Sequence, residues 1–316
     1  MRGSFVISME FSLSTRWNAY RHESGEALVD EILELGFSCV ELGYDLRHSQ
    51  VPGVRERLES GQVTCSSVHN YCPIPIGAPR GHPELFSLSS LDERERESAV
   101  RYTGNTITFA AEVSAKAVVA HAGNVRTRRR TSKLIDLAES GRQHSAKYEK
   151  LKLKLLMERD KKAPRYIDQL CRSLEALLPI LEDAAIPIAL ENLPSWEAIP
   201  TETELEMILA KFDSPWVRYW HDMGHGQIRE NLGFISHQRW ADKLAPYLAG
   251  MHIHDTQPPA GDHIMPPRGN ICFSDFRNAA NHARLRVLEP CPGTPAEYVA
   301  EGLRHLQSVW SDTCAS

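Results

Sequence analysis

Carboxylates and imidazoles recur at the ends of short apolar runs along this chain. SVHNYCP places His69 after one run, VVAHAG places His121, and IALENLP places Glu191. YWHDMGH supplies Asp222 with His225 three residues on, MHIHDT carries His252, His254 and Asp255, and VLEP ends on Glu289. One histidine after an apolar run is ordinarily a core or surface residue, but six successive runs ending this way need a common explanation. If the runs are parallel strands of a closed barrel, their last side chains converge near the axis, where unpaired buried carboxylates carry a large desolvation cost. A divalent cation removes that cost. Two Glu, one Asp and one His make a mixed oxygen and nitrogen site that suits Mn²⁺ first, and also Mg²⁺, Co²⁺ or Zn²⁺, with no thiolate placed to demand a softer metal. Three carboxylates exceed the charge of one divalent ion, so a protonated neighbour, a second ion or a cationic substrate contact is expected beside it.

Other residues invite a role around such a centre. The period of two along a strand puts His252 and His254 on one face, about 7 Å apart. They are therefore not equivalent: one is expected on the metal, the other above it or orienting a carboxylate. Asp255 reads as structural. Trp196 follows ENLPS in a strand-end loop and is expected to line the pocket with its aromatic face. Trp216 and Trp220, flanking the sixth run, read as core. Arg268, in PPRGN, is a candidate reader of a carboxylate or phosphate on a substrate. Gly123, Gly224 and Gly226 are expected to allow tight turns at strand ends. Neither GxxxxGK[ST] nor GxSxG occurs, which leaves nucleotide hydrolysis and serine hydrolase chemistry without a footing.

The elements that would position these groups follow from the hydrophobic pattern. Apolar or β-branched runs at 5–9, 39–42, 63–68, 117–121, 186–191, 217–222, 250–255 and 286–289 alternate with helical stretches. The helices are expected at about 25–35, 52–60, 91–114, 166–184, 202–212, 236–248, 274–283 and 295–310, with Thr201 and Glu204 as a capping box and Thr294 before Pro295 as an N-cap. Eight strand and helix pairs predict an α/β fold, a (β/α)8 TIM barrel. The 316 residues fit a single domain over 1–316, since such barrels need roughly 250. An open doubly wound sheet would want a GxGxxG turn after its first strand, and none is present.

A composition of 42% hydrophobic and 24% charged residues excludes wholesale disorder, collagen and coiled coil. The net charge of −5 gives no sign of a nucleic-acid or acidic-membrane partner, yet it hides an asymmetry. Fourteen Lys or Arg lie between Arg126 and Arg165 against five acids, a local +9. The segment at about 124–165 is too long for a simple loop and is rich in helix formers. It reads as a basic helical insertion after the fourth strand, hanging over one end of the barrel, with Pro164 breaking or restarting its helix. Seven cysteines without CxxC spacing argue against a disulfide framework, and MRGSFVISMEF is too short for a signal peptide. With no uninterrupted apolar stretch of about 18 residues, no membrane span is expected and a cytoplasmic protein is.

Taken in order, GFSCVELGYD, SVHNYCP, IALENLP, HDMGHG, HIHDT with DHIMPPRGNICFSDF, and VLEP resemble the xylose isomerase-like barrel superfamily of sugar isomerases, epimerases and endonuclease IV type enzymes. The resemblance implies one divalent metal held by Glu191, Asp222, His252 and Glu289, with His225 and His263 in the substrate pocket. It also implies a small-molecule sugar or sugar derivative as substrate and a homo-oligomer. Within the isomerase and epimerase branch, the metal grips neighbouring substrate oxygens while Glu191 and Glu289 exchange the proton beside the carbonyl, through an enediolate held by the cation. His225 would bind a substrate hydroxyl, with His69, His121, His254 and His263 completing the pocket.

Two alternatives share these residues. Proton abstraction followed by loss of a leaving group makes a lyase or dehydratase on a keto-sugar or keto-glycoside. An endonuclease IV type phosphodiesterase would use His69, His121, His225 and His263 to hold a three-metal cluster, and the basic insertion to contact phosphates. That cluster takes an Asp two residues before the loop histidine, whereas this chain reads Gly261, Asp262, His263, with the Asp adjacent.

Overall fold

A computed structural model describes residues 9–311. Its strands are β1 Ser12–Ser14, β2 Cys39–Leu42, β3 Thr64–His69, β4 Val118–Ala120, β5 Ile188–Glu191, β6 Val217–Asp222, β7 Leu248–Ile253, β8 Asp255–Gln257, β9 Gly261–Ile264 and β10 Leu285–Leu288. Eight of them close a parallel barrel in the order β1-β10-β7-β6-β5-β4-β3-β2, and β8 with β9 form a separate antiparallel hairpin. The helices are α1 Gly25–Glu34, α2 Val51–Glu59, α3 Glu93–Glu112, α4 Thr131–Glu139, α5 Ala146–Ala184, α6 Glu202–Phe212, α7 Met223–Asn231, α8 His237–Leu244, α9 Arg277–His282 and α10 Ala296–Trp310. The predicted TIM barrel is present, and β2 and β6 have the bounds expected from the hydrophobic pattern.

The largest departure is the first strand. Residues 5–8 of the expected run lie outside the described residues, and β1 is instead the buried SLS segment Ser12–Ser14. A strand closed in on both sides is held by its backbone pairing to β2 and β10, so a serine-rich sequence suffices there. Its shift carries Arg16, unmarked by any pattern in the sequence, to the mouth of the barrel.

Pro164 does not break its helix. Helix α5 runs unbroken over 39 residues with Pro164 and Pro179 inside it. A proline inside a helix costs about 3 kcal/mol, which burial of Leu155, Ala163, Tyr166, Leu170, Leu174 and Leu177 along the same helix outweighs. Arg159 adds a buried two-pronged pair to Glu204 of α6, at 2.5 and 2.7 Å. The insertion and the crossover helix expected at 166–184 are thus one continuous element.

Packing rather than solvent holds the inserted half of α5. Leu134 and Leu137 of α4, Tyr148 and Leu155 of α5, and Ile228 of α7 form a small apolar cluster with Leu232. Because α7 starts directly after β6, with Asp222 as its N-cap, this cluster clamps the insertion to the carboxyl end of the barrel. Neither α7 nor the β8–β9 hairpin was expected from the sequence.

The glycines divide accordingly. Gly123 has φ +119 and makes a turn, as expected. Gly224 and Gly226 lie inside α7, where a Cβ at Gly224 would fall 1.9 Å from the His254 ring and one at Gly226 would fall 2.4 Å from the His237 ring. They provide close approach, not turns. The six cysteines among the described residues are free. No described helix is long and apolar enough to cross a membrane.

Candidate metal centre and active site

Parallel registration brings the expected quartet together. Asp222 of β6 pairs in register with His252 of β7, Glu191 ends the adjacent β5, and Glu289 follows β10 on the other side of β7. One ligand atom from each of Glu191, Asp222, His252 and Glu289 lies within 4.8 Å of all the others. All four are at most 2% exposed. His252 Nδ1 faces the carboxylates, 3.3 Å from Glu191 Oε1, 3.3 Å from Glu289 Oε2 and 3.8 Å from Asp222 Oδ2.

The electrostatics show how charged this pocket is. Burial alone would raise the Glu191 carboxyl, but His121 and His252 hold it well below the usual range. Glu289 is likewise held well below it, burial being outweighed by His252, Arg16 and His263. Burial opposes charging His252, yet the surrounding Glu289, Glu41 and Glu191 carboxylates raise it well above 6.5. Carboxylates kept ionised out of reach of solvent, with an imidazole between them, are a donor set that fits a divalent cation.

Two contributors to this centre were not expected from the sequence. Glu41, fully buried on β2, sits 3.0 Å from His252 Nε2 and accepts from Ser67 Oγ at 2.8 Å. It is the one acid inside the run CVEL, one residue before the end of β2, and that was its signal in the sequence. Arg16 donates to Glu289 Oε1 at 2.8 Å and lies over the Tyr44 ring at 4.7 Å. That guanidinium is the positive neighbour that the excess of carboxylate demanded.

The remaining histidines flank the quartet in two groups. His69 Nε2 and His121 Nε2 lie 3.2 and 3.1 Å from Glu191 Oε2. On the opposite flank, His225, His254 and His263 bring one ring nitrogen each within 4.8 Å of the others. His254 Nε2 sits 3.0 Å from Asp222 Oδ1, while the backbone N–H of His263 donates to His254 Nδ1 at 2.8 Å. His254 therefore accepts on Nδ1 and donates from Nε2, so it orients the Asp222 carboxylate, one of the two roles open to it. Asn192 ties β5 to β6 by accepting from Asp222 N at 2.8 Å and donating to Asp222 O at 2.9 Å.

Two expected pocket residues are placed elsewhere. Trp196 stacks on Phe234 at 4.5 Å and belongs to the apolar cluster under the insertion, which supplies an aromatic partner inside the protein. Arg268 pairs with Glu301 and lies 3.6 Å from the Tyr298 ring centre, so its charge is already matched at the surface. Asp255 is structural, as expected: it accepts from the backbone N–H groups of Thr256, Gly269 and Ile271. Trp220 is fully buried and meets the His252 ring edge-on at 5.1 Å. His121 and His225 open onto a cavity of about 730 Å³ between the barrel mouth and the insertion, with Tyr44 and Pro194 also in its wall.

The family model described as xylose isomerase-like TIM barrel matches residues 29–309, and the chain belongs to that family. The uncharacterized protein MJ1614 of Methanocaldococcus jannaschii is 23% identical over 253 residues, 78% of each chain. Among solved structures, a D-tagatose 3-epimerase-like protein superposes with a TM-score of 0.69 at 19% identity, covering 97% of this chain and 100% of that one. The 3-keto-D-glucoside 4-epimerase of E. coli gives 0.69 at 15% identity, covering 95% and 99%. These likenesses establish the fold.

Proposed function

We propose that this member of the xylose isomerase-like TIM barrel family is a divalent-metal-dependent sugar isomerase or epimerase. The observation that carries the reading is the convergence of Glu191, Asp222, His252 and Glu289, ionised and buried, next to a cavity large enough for a sugar derivative. Structural neighbours named as epimerases of sugars and of a keto-glucoside support it.

In this reading Glu191, Asp222, His252 and Glu289 hold the metal, with Mn²⁺ the first choice and Mg²⁺, Co²⁺ or Zn²⁺ the others. When bound, the cation would polarise a substrate carbonyl and acidify the proton beside it. Glu191 and Glu289 come from strands on either side of β7, so they approach a substrate from two directions, one as base and the other as acid. His252 and Arg16 keep Glu289 ionised until it takes a proton, and His121 and His252 do the same for Glu191. His225, on the cavity wall and 3.0 Å from the Asn192 carbonyl through Nδ1, presents its other ring nitrogen to a substrate hydroxyl. His263 closes that side of the pocket. The protein would act in the cytoplasm as a homo-oligomer, the reduced cysteines being consistent with that compartment.

Metal analysis before and after chelation, followed by a panel of ketoses and 3-keto-glycosides in D₂O, tests this assignment. Deuterium entering the recovered sugar without release of an aglycone is the expected result. Aglycone release would instead make the same residues those of a lyase or dehydratase. Exchange that survives complete metal removal would sink the reading.

One observation favours a second reading, a phosphodiesterase with a three-metal cluster. The sets His69–His121–Glu191 and His225–His254–His263 stand on either side of the quartet, each compact enough for an ion. The acceptor role of His254 Nδ1 toward the His263 backbone counts against the second set, and Asp262 is in neither. Metal-dependent cleavage of an abasic-site duplex would reverse this order.

A further inference from the structure

The basic insertion faces the active-site cavity with two cations that the rest of the chain leaves largely unmatched. Most of its charge near the barrel is neutralised internally. Arg130 and Lys162 share Glu158, and Arg159 is held by Glu204. Only Arg126 and Arg129 of the inserted cations border the cavity. Arg129 has no hydrogen-bond or ion-pair partner among the described residues. Arg126 touches Glu95 at 3.2 Å with its side chain 77% exposed, a contact of little strength.

Three acids also line the cavity, Glu84, Glu197 and Asp262, and none of them forms an ion pair with either arginine among the described residues. Glu197 is occupied by the backbone N–H of Arg130 at 2.7 Å, the N–H of Thr131 at 3.1 Å and the Thr131 hydroxyl. Glu84 accepts from Asn124 Nδ2 at 2.6 Å. Thr127 and Ser132 add hydroxyl-bearing residues to the same wall. His121 and His225, each against Glu191 of the candidate metal centre, line the same cavity. One continuous space therefore runs from the proton-transfer carboxylate to a pair of available guanidinium forks, the geometry that recognises a planar or tetrahedral oxyanion.

Building on the sugar reading above, we infer that the substrate is an acidic sugar. It carries a phosphate or carboxylate remote from its carbonyl, and Arg126 and Arg129 bind that group. The insertion then supplies selectivity in the cavity while the barrel supplies the chemistry. Arg268, the residue whose place in PPRGN suggested it for this task, is matched by Glu301 and lies outside the cavity wall.

The test uses the full chain loaded with Mn²⁺ and three probes that differ only at carbon 6: D-fructose, D-fructose 6-phosphate and D-fructuronate. Calorimetric titration at low salt is expected to show one anionic probe binding about tenfold or more tighter than fructose. The ratio should shrink as ionic strength rises and fall to about one in Arg126→Ala/Arg129→Ala. Which probe wins distinguishes phosphate from carboxylate. Equal affinities in the wild type, or a preference that survives the double variant, overturns the inference and leaves the sugar reading standing. Failure to bind any of the three overturns both. Displacement of the preferred probe by an abasic-site duplex at far lower concentration assigns the arginines to nucleic acid and likewise overturns it.

Discussion

His252 Nε2 lies 3.0 Å from Glu41 Oε2, so the imidazole whose Nδ1 faces Glu191, Asp222 and Glu289 is anchored from behind by a fourth carboxylate. The two residues come from β2 and β7, 211 positions apart in the chain. Were Nδ1 to hold an ion, the remaining proton would sit on Nε2 and be donated to Glu41. That bond would fix both the tautomer and the ring plane.

Glu41→Ala should therefore weaken divalent-metal affinity about 10- to 100-fold, while Glu41→Gln, which keeps an acceptor oxygen, should lose less. Competition with a chromophoric chelator measures both. Unchanged affinity in a folded Glu41→Ala chain would remove Glu41 from the metal centre.

Glu191→Gln and Glu289→Gln should each lower turnover by about 10²- to 10⁴-fold on a substrate found by the D₂O panel. Metal content must be measured alongside, because each residue also serves as a ligand in the proposed centre. Full turnover in both variants would refute the two-carboxylate mechanism.

Gly224→Ala drives a methyl group into the His254 ring, which is itself held by Asp222 and the His263 backbone. Destabilisation of about 1–3 kcal/mol is expected in chemical denaturation, together with a drop in metal affinity as Asp222 loses its orienting partner. Gly36→Ala, at a positive φ of 86 with open space around it, is a useful contrast: backbone strain there should lower stability without touching metal binding.

Breaking the Arg159–Glu204 pair by Arg159→Met leaves a buried carboxylate without its two-pronged partner. A loss of about 3–5 kcal/mol is expected at neutral pH. Because Arg159 holds the Glu204 carboxyl below its ordinary value against burial, the pair's contribution is present above the unfolded carboxyl range and disappears as pH falls through the folded value. Thermal midpoints of the variant and wild type should converge in acid.

His221 and His237 set a second pH dependence. Tyr219 Oη meets His221 Nδ1 at 2.5 Å, and the two imidazoles meet Nε2 to Nε2 at 3.0 Å, out of reach of solvent. Burial pushes His221 down to about 4 and His237 well below 6.5. The unfolded chain takes up these protons from about pH 6.5 downward and the folded chain does not, so stability falls with pH across that interval. Relative to His221→Phe, the wild type should lose about 2 kcal/mol between pH 7 and pH 5 in urea unfolding. A constant difference would mean that the pair is not neutral in the folded state.

The sequence alone determined the barrel and the quartet, for reasons that are local. Most of the barrel strands are largely apolar or β-branched, so Glu191, Asp222 and Glu289 stood out as acids at the ends of such runs. The alternating pair His252 and His254 was equally visible, and the family resemblance, not the spacing, singled out His252. Only the tertiary structure decided which groups surround that quartet, because those pairings join distant segments. Glu41 does not end its run, since Leu42 follows it in β2, and its role depends on β7 lying across the barrel. Arg16 lies in the helical turn just after a strand without an apolar signature. Trp196 and Arg268 looked available because a sequence does not reveal that Phe234 and Glu301 have already met them. Charge counting detected the insertion's excess of cations, but packing of α4, α5 and α7 determined which two arginines reach the cavity.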